Sequence, residues 1–164
     1  MMNQVERLIS ELCPNGIKYT PLKEVATLLN GYSFKSNLYD NKGVRVIRIS
    51  DVQKGKISDK SLKYYPIDFI DKIQKYLLFE GDLVISLTGN VGRVAILNRN
   101  HIPAGLNQRV ACIRANQKYL LTKFLFYYLD PNSFEILAMD NSTGGGQKNL
   151  STNWLKSHVI PTPP

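Results

Sequence analysis

Apolar residues recur along this chain with two different periods. Val5, Leu8, Ile9 and Leu12 stand three and four apart, the spacing of one helix face, and Pro14 stops the pattern. This predicts a short amphipathic N-terminal helix. Its stripe is expected to pack on the domain, because the polar side carries both Glu and Arg. Asn15-Gly16 reads as a turn. Thr20-Pro21 has the form of an N-cap followed by proline at the first helical position, so a helical turn is predicted over residues 22–26. Asn30-Gly31 closes the segment that follows.

From there the pattern becomes β-like. Residues 44–49 read as a strand in which Arg45 and Arg48, an odd number apart, face opposite sides. Residues 83–87 and 94–97 are Val/Ile/Leu-rich runs around Thr88-Gly-Asn-Val-Gly92 and predict a hairpin with a loop longer than two residues. Residues 109–114 predict another strand. Residues 31–43 and 98–105 read as loop, and residues 50–66 as a long polar excursion with a turn at Lys54-Gly-Lys56. Glu80-Gly-Asp82 is a turn, and residues 71–78 fit helix and strand equally.

The texture then changes again. Residues 119–129 are apolar nearly all round and of helix length, stopped by Asp130-Pro131, and residues 133–139 predict a second helix. Gly144-Gly-Gly146 predicts a flexible loop, and Ser151 can cap a short helix carrying Trp154 and Leu155. Residues 161–164, Pro-Thr-Pro-Pro, exclude helix and central strand. Many short strands followed by helices imply an α+β fold with a curled mixed β-sheet and short helices. The expected organisation is a single domain over residues 1–164: an N-terminal helix or arm (1–19), a β-rich part (20–117), and a helical part with a proline-rich end (118–164). No internal repeat of fixed period is visible.

Composition changes the picture mainly through charge. With 164 residues and 43% hydrophobic content the chain can bury a core. It carries 21 Lys and Arg against 13 Asp and Glu, a formal net charge of +8, and its isoelectric point is near 9.5. That excess points toward a polyanionic partner. The N-terminus lacks the apolar core of a secretory signal, and no run reaches the roughly 20 apolar residues of a membrane span. Cys13 and Cys112 are far apart and outside any CxxC, so reduced thiols and a cytoplasmic location are expected, with no membrane partner. His101 and His158 are isolated and offer no zinc spacing, so no bound metal is expected.

Several chemistries are excluded by spacing. Residues 88–93 lack the lysine and spacing of a phosphate-binding P-loop, and β-type residues follow their glycines where a dinucleotide site needs a long helix. No GxSxG elbow exists. Asp40-Asn-Lys42 is the sole acidic-x-Lys triplet, without a partner acid just upstream. Glu80 and Asp82 flank a turn glycine. No catalytic residue is assigned, and the chain is not expected to be an enzyme. What remains is five polar, cation-bearing segments on a β-rich scaffold: residues 32–36, 48–53, 88–93, 107–109 and 147–149. Their Arg, Lys, Asn and Gln can reach base edges, while hydroxyls and main-chain amides suit phosphate oxygens. Each segment alone reads equally well as an ordinary polar loop. Together with the charge, the set favours nucleic acid.

At these residues the chain resembles the target-recognition half of the DNA specificity subunit of type I restriction–modification systems. Leu22-Lys-Glu-Val25 followed by Gly31-Tyr-Ser-Phe-Lys-Ser36 looks like the opening of that family. Val46-Ile-Arg-Ile-Ser-Asp-Val52 with Gly55-Lys-Ile57 looks like its core. Gly81-Asp-Leu-Val-Ile-Ser-Leu-Thr-Gly-Asn-Val-Gly-Arg93 is its most characteristic strand and turn. Leu106-Asn-Gln-Arg-Val110, Tyr119-Leu120, Gly146-Gln-Lys-Asn-Leu-Ser151 and Ile160-Pro-Thr-Pro-Pro164 follow in family order.

The resemblance implies a target-recognition-domain fold and a non-catalytic reader of one half of a bipartite site in double-stranded DNA. Its partners would be the methyltransferase and restriction subunits. S-adenosylmethionine, ATP and Mg would belong to those partners, leaving no cofactor in this chain. Family members carry two recognition domains joined by long helices. Here there is one, and the chain stops at Pro164 where such a helix would continue. A fragment or a truncated half-length subunit is therefore expected, with a second half-subunit as a further candidate partner and no pairing through that helix implied.

Lys35, Arg48, Arg93, Arg109 and Lys148 are the candidates for electrostatic contact with DNA. Asn90, Asn107, Gln108, Gln147 and Asn149 are candidates for polar readout or loop shaping, with turn geometry favoured for Asn90 between its glycines. Two other readings stand beside this one. The chain could be a docking fragment for the methyltransferase subunit through Trp154, the 119–129 helix and the N-terminal helix, although core packing is the simpler role for all three. It could also be a nuclease or methyltransferase with Asp40 holding a metal, which the missing acidic cluster opposes.

Overall fold

The computed structural model describes residues 2–163. Helix α1 (Gln4–Leu12) starts at a capping box. The Asn3 side chain accepts the Glu6 N–H, and the Glu6 carboxylate accepts the Asn3 N–H, both at 2.8 Å. Of its apolar stripe only Val5 is buried, while Leu8 and Leu12 are 39% and 74% exposed. With Ile9 half-buried, the stripe packs along one edge while Leu8 and Leu12 stay open.

Strand β1 (Lys18–Pro21) leads into the single helical turn α2 (Leu22–Val25), and Ala26 is already extended. This corrects the expected cap. Thr20 lies in β1, where its hydroxyl is 2.8 Å from that of Thr162, and Pro21 takes the N-cap position with no side-chain cap. A threonine hydroxyl facing another strand is not available to a helix start.

Strand β2 (Ala26–Asn30) ends before Gly31, as the Asn-Gly pair implied. Strand β3 (Val44–Ile47) is two residues shorter than the apolar pattern. The strands β4 (Val52–Gln53) and β5 (Lys56–Ile57) form a small antiparallel hairpin inside the polar excursion, turning at Lys54-Gly55. After β6 (Tyr64–Tyr65) the ambiguous region resolves into 3-10 turns over Ile67–Tyr76 and then β7 (Leu77–Leu78).

Strands β8 (Leu83–Ser86) and β9 (Val94–Ile96) form the expected hairpin. Residues 98–105, expected to be loop throughout, contain a 3-10 turn, Arg99–His101, and enter strand β10 (Ala104–Leu106). A three-residue strand holding a glycine has no period for sequence to show. Its evidence is tertiary, since all three residues are buried and pair in parallel with Arg45–Ile47. Strand β11 (Val110–Ala115) is followed by helices α3 (Thr122–Leu129), α4 (Asn132–Asp140) and α5 (Thr152–Ser157). The Ser151 side chain caps α5 by accepting the Asn153 N–H at 3.1 Å. Strand β12 (Val159–Thr162) returns to pair with β1 in a two-stranded ribbon, where Pro161 removes no bond from a central strand.

The architecture is α+β with several small sheets, short helices and, among the described residues, no closed barrel. An antiparallel sheet runs β2-β11-β8-β9, and a mixed sheet runs β6-β3-β10-β7. The chain passes from one to the other where β10 leads into β11. Strands β8 and β11, apart from the half-buried Arg114, are buried on both faces. Leu83 and Ile85 join Leu22, Ile113, Leu125, Leu129 and Leu155 under the helices. Val84 instead joins Ile47, Leu106, Val110 and Cys112 on the other face, the alternation of a period-two strand. Burial holds the Cys112 thiol well above its usual range, so it serves as a core residue. Asp82 does more than shape a turn: its buried carboxylate accepts the Phe79 N–H at 2.8 Å and pairs with Arg114 at 2.6 Å.

The alternation expected for Arg45 and Arg48 fails because β3 ends at Ile47. Arg45 is buried and donates to Asp59 at 2.7 Å and to the Ser58 carbonyl at 2.9 Å. Arg48, in the turn after the strand, donates to the Ser61 carbonyl. Both guanidinium groups thus moor the same residues, 58–61.

Candidate nucleic-acid interface

The strand registers bring several chain reversals to one rim. Asn30 pairs with Ala111 and Ser86 with Val110, so the ends of β2 and β8 lie beside the start of β11. Leu106 pairs in parallel with Ile47, which sets the ends of β10 and β3 side by side. The Asn107 N–H donates to the Ile47 carbonyl at 3.1 Å.

Main-chain bonds then lock the loops together. Beyond β8, the Leu87 N–H donates to the Arg109 carbonyl at 3.0 Å, and the Leu87 carbonyl accepts the Leu150 N–H at 2.8 Å. The Gly89 N–H donates to the Lys148 carbonyl at 3.1 Å. On the other side, the Tyr32 N–H donates to Leu106 and the Tyr32 carbonyl accepts the Gln108 N–H, at 2.7 and 3.0 Å. Gly31 permits this crossing: a Cβ there would stand 2.1 Å from the Asn107 carbonyl oxygen.

The ten residues singled out by sequence divide into three groups. Lys35, Arg109 and Lys148 are exposed, and among the described residues none of them enters an ion pair. Gln108 and Gln147 are also exposed, and Asn90 stands exposed on the glycine turn. The left-handed backbone there falls on Gly89 and Gly92, at φ +73° and +86°. Turn geometry therefore draws on both glycines, and the Asn90 carbonyl accepts the Ser86 hydroxyl.

Two asparagines shape the loops. Asn107 Oδ1 accepts the Arg109 N–H at 3.1 Å. Asn149 Oδ1 accepts the Thr88 hydroxyl at 2.9 Å, while its Nδ2 donates to the Gln147 carbonyl at 3.1 Å. Two arginines have partners. Arg48 grips Asp51 from Nε to Oδ2 at 3.1 Å and from Nη2 to Oδ1 at 3.0 Å. Arg93 donates from Nη1 to Gln53 Oε1 at 3.2 Å and lies 3.9 Å from Glu135.

Residues 31–36, 88–93, 107–109 and 143–149 contain no Asp or Glu. These four segments form a rim of cations, amides and hydroxyls without an acid of its own, suited to phosphate oxygens and base edges; Asp51, in the turn after β3 beside it, is buried and paired with Arg48. Sequence reasoning missed Thr88 as the tie to Asn149, and Lys54 and Glu135 beside Arg93. Lys54 and Glu135 are 81 residues apart, which no local pattern could reveal. Asp40 is exposed and accepts the Asn41 N–H at 2.6 Å. Among the described residues no three His, Cys, Asp or Glu are grouped to hold a metal, and no helix is long and apolar enough to cross a membrane.

Known proteins share both the sequence pattern and the fold. The chain is 31% identical over 155 residues to the specificity subunit of the type I restriction enzyme EcoAI from Escherichia coli. It is 29% identical over 154 residues to that of MjaVIII from Methanocaldococcus jannaschii. Each alignment covers 92% of this chain, but the chain spans only 26% and 36% of those relatives. Among solved structures, the HsdS subunit from Thermoanaerobacter tengcongensis superposes with a TM-score of 0.65 at 21% identity, over 92% of this chain and 34% of that one. The type I restriction–modification S subunit from M. genitalium gives 0.61 at 19% identity, over 90% and 35%. The family model described as the type I restriction modification DNA specificity domain matches residues 14–164. With that match over residues 14–164 and the fold agreeing, this chain belongs to that family of DNA specificity domains.

Proposed function

We propose that this chain is the non-catalytic DNA reader of a cytoplasmic type I restriction–modification complex, reading one half of a bipartite target in duplex DNA. Methyltransferase and restriction subunits, with S-adenosylmethionine, ATP and Mg, would supply the chemistry at the site it selects. A second recognition half would read the other part of the target. The observation that carries the reading is the acid-free rim. Lys35, Arg109 and Lys148 extend from loops tied to one another by main-chain bonds, with Asn90, Gln108 and Gln147 beside them. Arg93 reaches the same rim from the glycine turn. Asn107 and Asn149 hold the loops in shape, and Arg48 braces the neighbouring turn through Asp51.

Duplex DNA binding measured across a salt series tests this. If the rim engages about five or six phosphates, log K falls against log salt with a slope of about −5. The triple variant Lys35→Ala/Arg109→Ala/Lys148→Ala flattens that slope by about 2 to 3. Binding that ignores salt, or a triple variant with the parent slope, refutes the assignment.

A protein-docking role has one observation in its favour. The exposed Leu8 and Leu12 line a mainly apolar groove of about 570 Å³ with Phe124 and Tyr127 of α3, so core packing does not account for the whole α1 stripe. Trp154 fits core packing better, stacked on His158 with ring centroids 5.1 Å apart.

A further inference from the structure

Three separate segments meet at Glu135. The residue lies on the first turn of α4, and its Oε1 is 2.7 Å from the ammonium of Lys54 at the tip of the β4–β5 hairpin. Its Oε2 is 3.9 Å from Nε of Arg93, at the end of the glycine turn. Lys54 also donates to the Asn132 side chain, and Arg93 donates to Gln53.

Main chain brings these parts together. The Gly55 N–H donates to the Val94 carbonyl at 3.0 Å. A Cβ on Gly92 would lie 2.9 Å from Cβ of Ala138 and 3.3 Å from Cα of Glu135, so α4 rests directly on the turn. The side chains of Lys54, Arg93 and Glu135 are 42%, 29% and 25% exposed. Two cations thus share one carboxylate within reach of solvent, beside a rim that has no acid of its own.

Ion pairs this accessible are weak, and a phosphate can compete for either cation. A carboxylate beside phosphate-binding groups also repels DNA whatever its sequence. Discrimination arises as readily from such a penalty as from an added attraction, because a target that gains base contacts can overcome it and a random sequence cannot.

We propose that Glu135 is a specificity-determining residue that restrains sequence-independent DNA binding by holding Lys54 and Arg93 in competition with phosphate. This rests on the DNA-reading role proposed above. It adds that one acid on the helical part sets how much of the rim's charge random DNA can use.

The test is binding of the 164-residue chain to a short mixed-sequence duplex across a sodium chloride series. Glu135→Gln is expected to bind about three- to tenfold tighter near physiological salt, with a slope steeper by about 1 to 2 as the released cations reach phosphate. Glu135→Met, which keeps the aliphatic stem, shows the same change. Glu135→Asp stays close to the parent. In a Lys54→Gln/Arg93→Gln background, Glu135→Gln has no further effect. Unfolding of a variant lowers its active fraction but does not steepen the slope, so a structural role alone cannot mimic the result. If the parent binds with a clear salt dependence and both Glu135→Gln and Glu135→Met keep its affinity and slope, or weaken binding, the Glu135 proposal fails and the DNA-reading role survives. If the parent shows no salt-dependent binding, both fail.

Discussion

At the scale of single residues, the two histidines show what burial does to a lone titratable group. His101 Nδ1 accepts the Asn98 N–H at 3.0 Å at the start of a 3-10 turn. Burial lowers its pKa first, with the neighbouring Arg45 adding to the effect and Asp59 opposing it. His158 sits among Trp154, Phe134 and Tyr128 with Nε2 buried and without a hydrogen-bond partner, and burial lowers its pKa as well. Because the folded chain resists protonation at both sites, the unfolded chain takes up protons first as pH falls. Their contribution is complete above the unfolded value of about 6.5 and is lost as pH drops from there toward the folded values. Asp130 acts in the opposite sense. Burial raises its pKa although Lys54 lowers it, so stability is gained as pH falls through its folded value. The melting temperature is therefore expected to fall between about pH 7 and pH 5. His158→Phe should reduce that fall. A melting temperature flat over this range, or an unchanged fall in the variant, would contradict the assignment.

The same scale separates two of the candidate site residues. Arg48 and Arg109 are the same residue type in polar segments, yet Arg48 is paired with Asp51 and Arg109 pairs with no acid among the described residues. Asp51 stands only three residues from Arg48, yet the sequence pattern kept Arg48 for DNA and did not pair the two. Glu135 was not visible as a partner of Arg93, because only the packing of α4 on Gly92 brings them together.

At the scale of elements, legibility followed period and length. The β8–β9 hairpin and helices α3 and α4 could be read because apolar runs of adequate length end at Gly, Asp or Pro. Strand β10 and the short strands β6 and β7 could not, since two or three residues carry no period and their pairing is long-range. The rim depends on one of these illegible contacts, the crossing of Gly31 over Asn107. Gly31→Ala places a methyl carbon 2.1 Å from a carbonyl oxygen, and backbone on one side must move. The expected cost is about 2 to 4 kcal/mol in urea unfolding, in the range of severe overpacking. Because Tyr32 holds the main chain of Gln108, the variant should also lose DNA affinity under conditions where it remains folded. A loss of less than about 0.5 kcal/mol would show that the crossing is not as tight as its geometry implies.

At the scale of the whole molecule, the net charge of +8 acts on folding and on binding in opposite directions. Like charges repel in the compact state, and salt relieves that repulsion once the screening length falls to about 8 Å. The pair between Arg114 and the buried Asp82 is screened less by salt, whereas Arg7–Glu11 at the surface contributes little at any salt. Added sodium chloride should therefore raise the melting temperature of the free chain by a few degrees, roughly the effect of 1 kcal/mol in a domain of this size. DNA binding should weaken over the same range, because phosphate contacts release counterions. A duplex that binds only the folded chain raises the melting temperature in proportion to its occupancy. Thermal scans with and without a mixed-sequence duplex should then give two curves that converge as salt rises. The free curve climbs while the gap between them closes. A free curve that falls with salt would place the surface ion pairs above net repulsion in the balance, and a gap that stays constant would remove the phosphate contacts from the description of the rim.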